Sequence, residues 1–86
     1  MQDKTKIFNK ALQLQLNGDF EGALKLYLRL IKKKIYNDKL FFFTGTAFLQ
    51  DENYIQAIKY LNESIKLNPD FHEAYSNKGI ALTKIE

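Results

Sequence analysis

The sequence predicts an all-α stack of helical hairpins, with five antiparallel helices making two and a half repeats. Three observations carry this. Apolar and small residues recur at helical spacing, short polar breaks interrupt them, and the whole pattern returns after 34 residues. Between Asp38 and Phe71 it reads Phe41, Gly45 and Phe48, then Tyr54, Ala57, Leu61, Ser64 and Pro69. Ile7, Ala11, Leu14, Phe20, Ala23, Tyr27 and Leu30 stand at the same offsets upstream, and Tyr75, Gly79 and Leu82 downstream.

The first helix is expected over 4–16, with Ile7, Phe8, Ala11, Leu12 and Leu14 on its apolar side. Asn17-Gly18-Asp19 breaks it, and Asp19 is placed to cap the second helix with its side-chain oxygen. Phe20, Ala23, Leu24, Tyr27, Leu28 and Ile31 carry that helix to Lys34, with Glu21 four residues before Lys25 in the favourable order. After Tyr36-Asn37-Asp38 a third helix is expected over 39–50. Its run Leu40–Phe43 resembles a strand in isolation, but its extension through Ala47, Phe48 and Leu49 is helical. Asn53 takes the capping place of Asp19, and the fourth helix runs to Leu67. Pro69 stops it. Asp70 with Glu73 makes a weak capping box for a fifth helix over 71–84. Loops this short make consecutive helices antiparallel neighbours.

Size and composition agree with one small domain. The 86 residues are 45% hydrophobic and 27% charged, too apolar for a disordered chain. A net charge of +3 is mild, so nucleic acid is not an expected partner. No apolar run serves as a signal peptide or approaches the roughly 18 residues of a membrane span, so a cytoplasmic chain without membrane insertion is expected. Catalysis is not expected, nor is a cofactor. No Gly-rich phosphate loop or nucleophile triad is present, and the lone His72, read as an exposed turn residue, has no cysteine to join it around zinc.

The middle unit, Phe41-x-x-Thr44-Gly45-x-x-Phe48 followed by Ala57-x-x-x-Leu61 and Pro69, resembles the tetratricopeptide repeat. The likeness covers nearly the whole chain as repeats 4–37 and 38–71 and a half repeat 72–86. Small residues at Ala11 and Gly45, facing Ala23 and Ala57, suit helices that cross at about 8 Å. Departures are Ile35 in place of proline, Lys10, Thr44 and Lys78 in place of leucine, and Leu30 and Ser64 in a slot usually held by alanine.

The resemblance implies a right-handed solenoid that binds a protein or peptide partner on a concave groove lined by the first helix of each repeat. That groove is offered Thr5, Phe8, Leu12 and Gln15, then Lys39, Phe42, Phe43, Thr46 and Leu49, then Glu73, Ser76, Asn77, Ile80 and Thr83. Phe8, Leu12, Phe42 and Phe43 read as an apolar floor, since rings bury large area at small entropic cost. Packing between repeats and contact with a second copy of the chain are the alternatives. Some members of the family hold chaperone carboxylate tails with cationic and amide side chains. The matching positions here are Phe8, Leu12, Phe43, Glu73 and Asn77, which supply no cation, so a receptor of that kind is not expected.

The second helices carry Lys25, Arg29 and Lys32, with Lys59 and Lys66 at the places equivalent to Lys25 and Lys32. A solvated basic face is the expectation, and acidic partners or phosphate the alternative. The fifth helix lacks a hairpin partner. Tyr75, Gly79 and Leu82 should therefore be uncovered, available to a second copy in a homodimer or to the remainder of a longer array.

Overall fold

A computed structural model describes residues 3–86. Five helices follow one another: α1 (Lys4–Leu16), α2 (Phe20–Lys32), α3 (Asp38–Gln50), α4 (Tyr54–Leu67) and α5 (His72–Ile85). Among the described residues there is no strand, and Leu40–Phe43 lies inside α3.

Three helices begin with a side-chain cap. Asp3 accepts from the Thr5 amide at 3.0 Å, Asp19 from Gly22 at 2.9 Å and Asn37 from Leu40 at 2.7 Å. Asn53 makes no such bond. The Asp70–Glu73 box does not form either, because α5 starts at His72 with Phe71 in the cap position. Asp70 is drawn into a local turn instead, its amide donating to Asn68 Oδ1 at 3.2 Å.

The ends of α1, α2 and α3 share one device. The residue after the C-cap turns into the left-handed region, at Gly18 (φ 86°), Lys34 (φ 62°) and Glu52 (φ 64°). Amides of Asp19, Ile35 and Asn53 then reach back to the carbonyls of Leu14, Leu30 and Phe48 at 2.8, 3.3 and 2.8 Å. This is why α2 ends before the lysine run is complete.

Within each hairpin the small slots meet. Ala11, Ala23 and Ala57 are fully buried, and a Cβ built on Gly45 would sit 2.7 Å from Leu61 Cγ and 3.1 Å from the Ala57 carbonyl oxygen. Such contact is open only to glycine. Tyr27, Leu30, Leu40 and Leu61 fill the core between these crossings. Ser64, in the alanine slot, donates to the Asp38 carbonyl at 2.8 Å, and Asn68 Nδ2 donates to Asp38 Oδ2 at 2.9 Å. Together they tie the end of α4 to the start of α3.

Between hairpins, α1 touches α3 and α3 touches α5. Among the described residues no Cα of α2 comes within 8 Å of one in α4. The first helices are therefore gathered on the inner side of a curved stack, and the second helices splay on its back.

Candidate partner-binding groove

The inner surface is built from α1, α3 and α5. Leu12, Phe43 and Thr46 stand one or two places from the buried slots at Ala11 and Gly45, so at about 100° per residue they turn away from the hairpin crossings, and Phe8 and Phe42 border them. Phe8 packs against Tyr27 (5.9 Å between ring centroids) and edge-on against Phe43 (5.7 Å). Phe43 meets Phe42 at 5.2 Å, and Phe42 stacks on Phe71 at 4.6 Å and 26°. Phe8, Phe42, Phe43 and Phe71 thus form a continuous row of half-buried rings from the first repeat to the start of α5.

The remaining groove positions fall around that row. Leu12 and Leu49 are half-buried against the core. Thr46 and Asn77 are bonded to each other, Asn77 Nδ2 donating to Thr46 Oγ1 at 3.0 Å across α3 and α5. Lys39, Ser76 and Ile80 are exposed, Ile80 at 49%. Where the start of α1, the end of α2 and the start of α3 converge, a cleft of about 550 Å³ opens. Phe8, Leu30, Ile35 and Leu40 give it an apolar lining, with Lys4 and Lys39 at its edge.

Gln15 belongs to the interior rather than the groove. It is 8% exposed, accepts from the Tyr27 hydroxyl at 2.7 Å and donates to Gln50 Oε1 at 2.7 Å. Burial pushes the Tyr27 phenol well above the usual tyrosine range.

At the far end, Tyr75 is 46% and Leu82 41% exposed, and nothing lies within 4 Å of a Cβ built on Gly79. Their counterparts Phe41, Phe48 and Gly45 are buried under α4. Among the described residues no helix packs over Tyr75, Gly79 and Leu82 as α4 packs over Phe41, Gly45 and Phe48.

No family model matches the chain. Among individual proteins, it is 32% identical over 78 residues to the Protein SGT1 homolog of Oryza sativa subsp. japonica, a match spanning 91% of this chain and 21% of that protein. It is 32% identical over 73 residues to the Heat shock protein sti1 homolog of Schizosaccharomyces pombe, spanning 85% of this chain and 12% of that protein. A third match, 44% over 41 residues, covers 48% of this chain and 7% of the Hsp70-Hsp90 organizing protein 1 of Arabidopsis thaliana. The chain belongs to the tetratricopeptide repeat family. The chain spans about a fifth of the length of the rice relative and less of the others.

In this tetratricopeptide stack the floor includes residues that the repeat pattern does not reveal. Phe71 stacks on Phe42 but sits in the loop before α5, at the offset occupied by Asn37 one repeat earlier. Its only signal in the sequence is an aromatic residue directly after a proline-led turn. Leu30 and Ile35 reach the cleft through the α2 terminus, where Ile35 folds back over Leu30 after the left-handed turn.

Proposed function

We propose that the chain is a non-catalytic interaction module, divided as repeats 4–37 and 38–71 with a half repeat 72–86, that seats a segment of a protein partner along the trough of α1, α3 and α5. The row of rings Phe8, Phe43, Phe42 and Phe71 carries this reading. The rings support one another, so they are set before a ligand arrives and cost little further ordering on binding. Two of the relatives are named for Hsp70 and Hsp90 or for heat shock, yet here the positions matching the family's carboxylate clamp, Phe8, Leu12, Phe43, Glu73 and Asn77, supply no cation, and Lys4 and Lys39 stand elsewhere in the trough. A partner anchored by apolar side chains fits this surface better than a carboxylate tail.

Phe42 packs between Phe43 and Phe71, so truncating it costs stability as well as contact. Ile80 and Lys39 are exposed and make cleaner probes. Ile80→Glu and Lys39→Glu should leave the melting transition in place and reduce capture of partners in a cross-linking pull-down from the source cells. Capture profiles identical to wild type would refute a trough-bound partner.

Self-association is the second reading, favoured by the exposure of Tyr75 and Leu82 beside the open slot at Gly79. Sedimentation velocity into the high micromolar range should then show a dimer that Leu82→Glu dissolves. A monomer at every concentration dismisses it.

A further inference from the structure

The back of the stack holds a second cleft, which shares no lining residue with the trough. Because α2 and α4 splay, Phe41 of α3 is reached from behind between them and floors a cleft of about 460 Å³. Ile31 of α2, Leu67 of α4, Tyr36 and Tyr60 wall it. Its rings form one stack: Tyr36 on Phe41 (5.8 Å, 25°), Phe41 on Tyr60 (6.3 Å, 23°) and Tyr60 on Phe48 (5.6 Å, 12°). The innermost members are buried, which holds the outer ones in place. Tyr36 is nevertheless 59% and Leu67 53% exposed, so large apolar groups meet water at the rim.

Charge gives the cleft a sign. Glu63 is already engaged by Lys66, whose Nζ is 3.4 Å away. The Lys59 ammonium lies 5.2 Å from the centroid of the Tyr60 ring, and among the described residues no carboxylate is within salt-bridge reach of it. A cation without an acidic partner thus stands beside an aromatic wall. Lys25 and Lys32 on α2 are exposed and add to the positive field of the same face.

We propose that this cleft docks an acidic peptide segment of a protein partner. An aromatic or long aliphatic side chain enters against Tyr36, Phe41 and Tyr60, and a neighbouring carboxylate pairs with Lys59. The apolar floor supplies contact area, and the lysine selects the sign of the flanking charge. This site does not depend on the trough, and the chain can use both at once.

The test is a titration of isotopically labelled chain with the blocked peptide Ac-Asp-Glu-Trp-Glu-Asp-NH2, and separately with Ac-Lys-Lys-Trp-Lys-Lys-NH2, followed by amide shifts. The acidic peptide should move the amides of Tyr36, Lys59, Tyr60 and Leu67 and bind at least about tenfold more tightly than the basic one, a preference that weakens with salt. Lys59→Glu should reverse the preference, and Tyr36→Ala should weaken both peptides. Both side chains are exposed, so both variants should remain folded, Tyr36→Ala with a lower thermal transition because it loses the stack on Phe41. Equal binding of the two peptides, shifts confined to Phe42, Phe43 and Ile80, or no shift at all would overturn the proposal. So would cleft shifts that follow chain concentration without peptide, which would mean that a second copy occupies the site.

Discussion

Tyr27 and Gln15 are joined by a 2.7 Å hydrogen bond from the phenol to Oε1, buried where α1 and α2 cross. Gln15 passes the connection on, its Nε2 donating to Gln50 Oε1 at the end of α3. One polar chain therefore links the first hairpin to the second inside an otherwise apolar junction. Tyr27→Phe keeps the ring and its contact with Phe8 but leaves the Gln15 oxygen without its donor. The expected loss is about 1 kcal/mol, which in a domain this small lowers the melting temperature by about 4–8 °C. Calorimetry on the pair of proteins measures it.

The same phenol sets an alkaline limit. Burial holds Tyr27 neutral in the fold above the ordinary tyrosine value of about 10, whereas the unfolded chain ionises there. Its folded pKa is the higher of the two, so its contribution is complete below about pH 10 and declines as pH rises beyond it. Melting temperature should fall as pH rises above about 10, and the fall should be shallower in Tyr27→Phe. Equal slopes in the two proteins would mean that Tyr27 does not set the alkaline transition.

The repeat was legible because its slots are local. Ala11, Ala23, Gly45 and Ala57 lie where two helices of one hairpin cross, and a crossing between sequence neighbours depends only on helix period and loop length. Contacts between hairpins depend on the angle at which they stack, which no single helix encodes. Phe8 meeting Phe43, and Thr46 meeting Asn77, were accordingly invisible as contacts. The start of α5 was misjudged for a similar reason. Phe71 is drawn onto Phe42, so the chain enters the helix one residue later than its capping pattern implies.

The Thr46–Asn77 bond is the side-chain strap that holds α5 to the inner face of α3. Otherwise α5 packs mainly on α4, and Ala74 and Ala81 are its buried residues. Asn77→Ala should cost about 1 kcal/mol, concentrated in α5. Amide hydrogen exchange is the suitable readout, with faster exchange over residues 72–85 and little change in α1 and α2. Uniform acceleration throughout the chain would show that α5 does not open separately.

The turns after α1 and α3 are the same turn with different residues in its left-handed position. Gly18 takes φ 86° without strain, whereas Glu52 is held at φ 64° with a Cβ that disfavours it. Glu52→Gly should therefore stabilise the chain by up to about 1 kcal/mol, since relief of the turn outweighs the extra freedom given to the unfolded state. Gly18→Ala should destabilise it by about the same amount, although nothing lies within 4 Å of the added methyl. Opposite signs at equivalent positions identify backbone conformation, not packing, as the cause.

Gly45 and Gly79 invert that comparison. They occupy the same slot one repeat apart, both helical, and they differ in what faces them. At Gly45 an added Cβ would lie 2.7 Å from Leu61 Cγ, and Leu61 is fully buried and cannot withdraw. Gly45→Ala should destabilise by about 1–3 kcal/mol despite the better helix propensity of alanine. At Gly79 the space is open, so Gly79→Ala should stabilise α5 by up to about 1 kcal/mol in the monomer. If a second copy docks on this face, it needs the bare backbone as α4 needs that of Gly45, and the same substitution will raise the monomer's melting temperature while weakening the dimer. Sedimentation and calorimetry on Gly79→Ala read these two effects separately. A substitution that stabilises the monomer and leaves association unchanged would remove Gly79 from any interface.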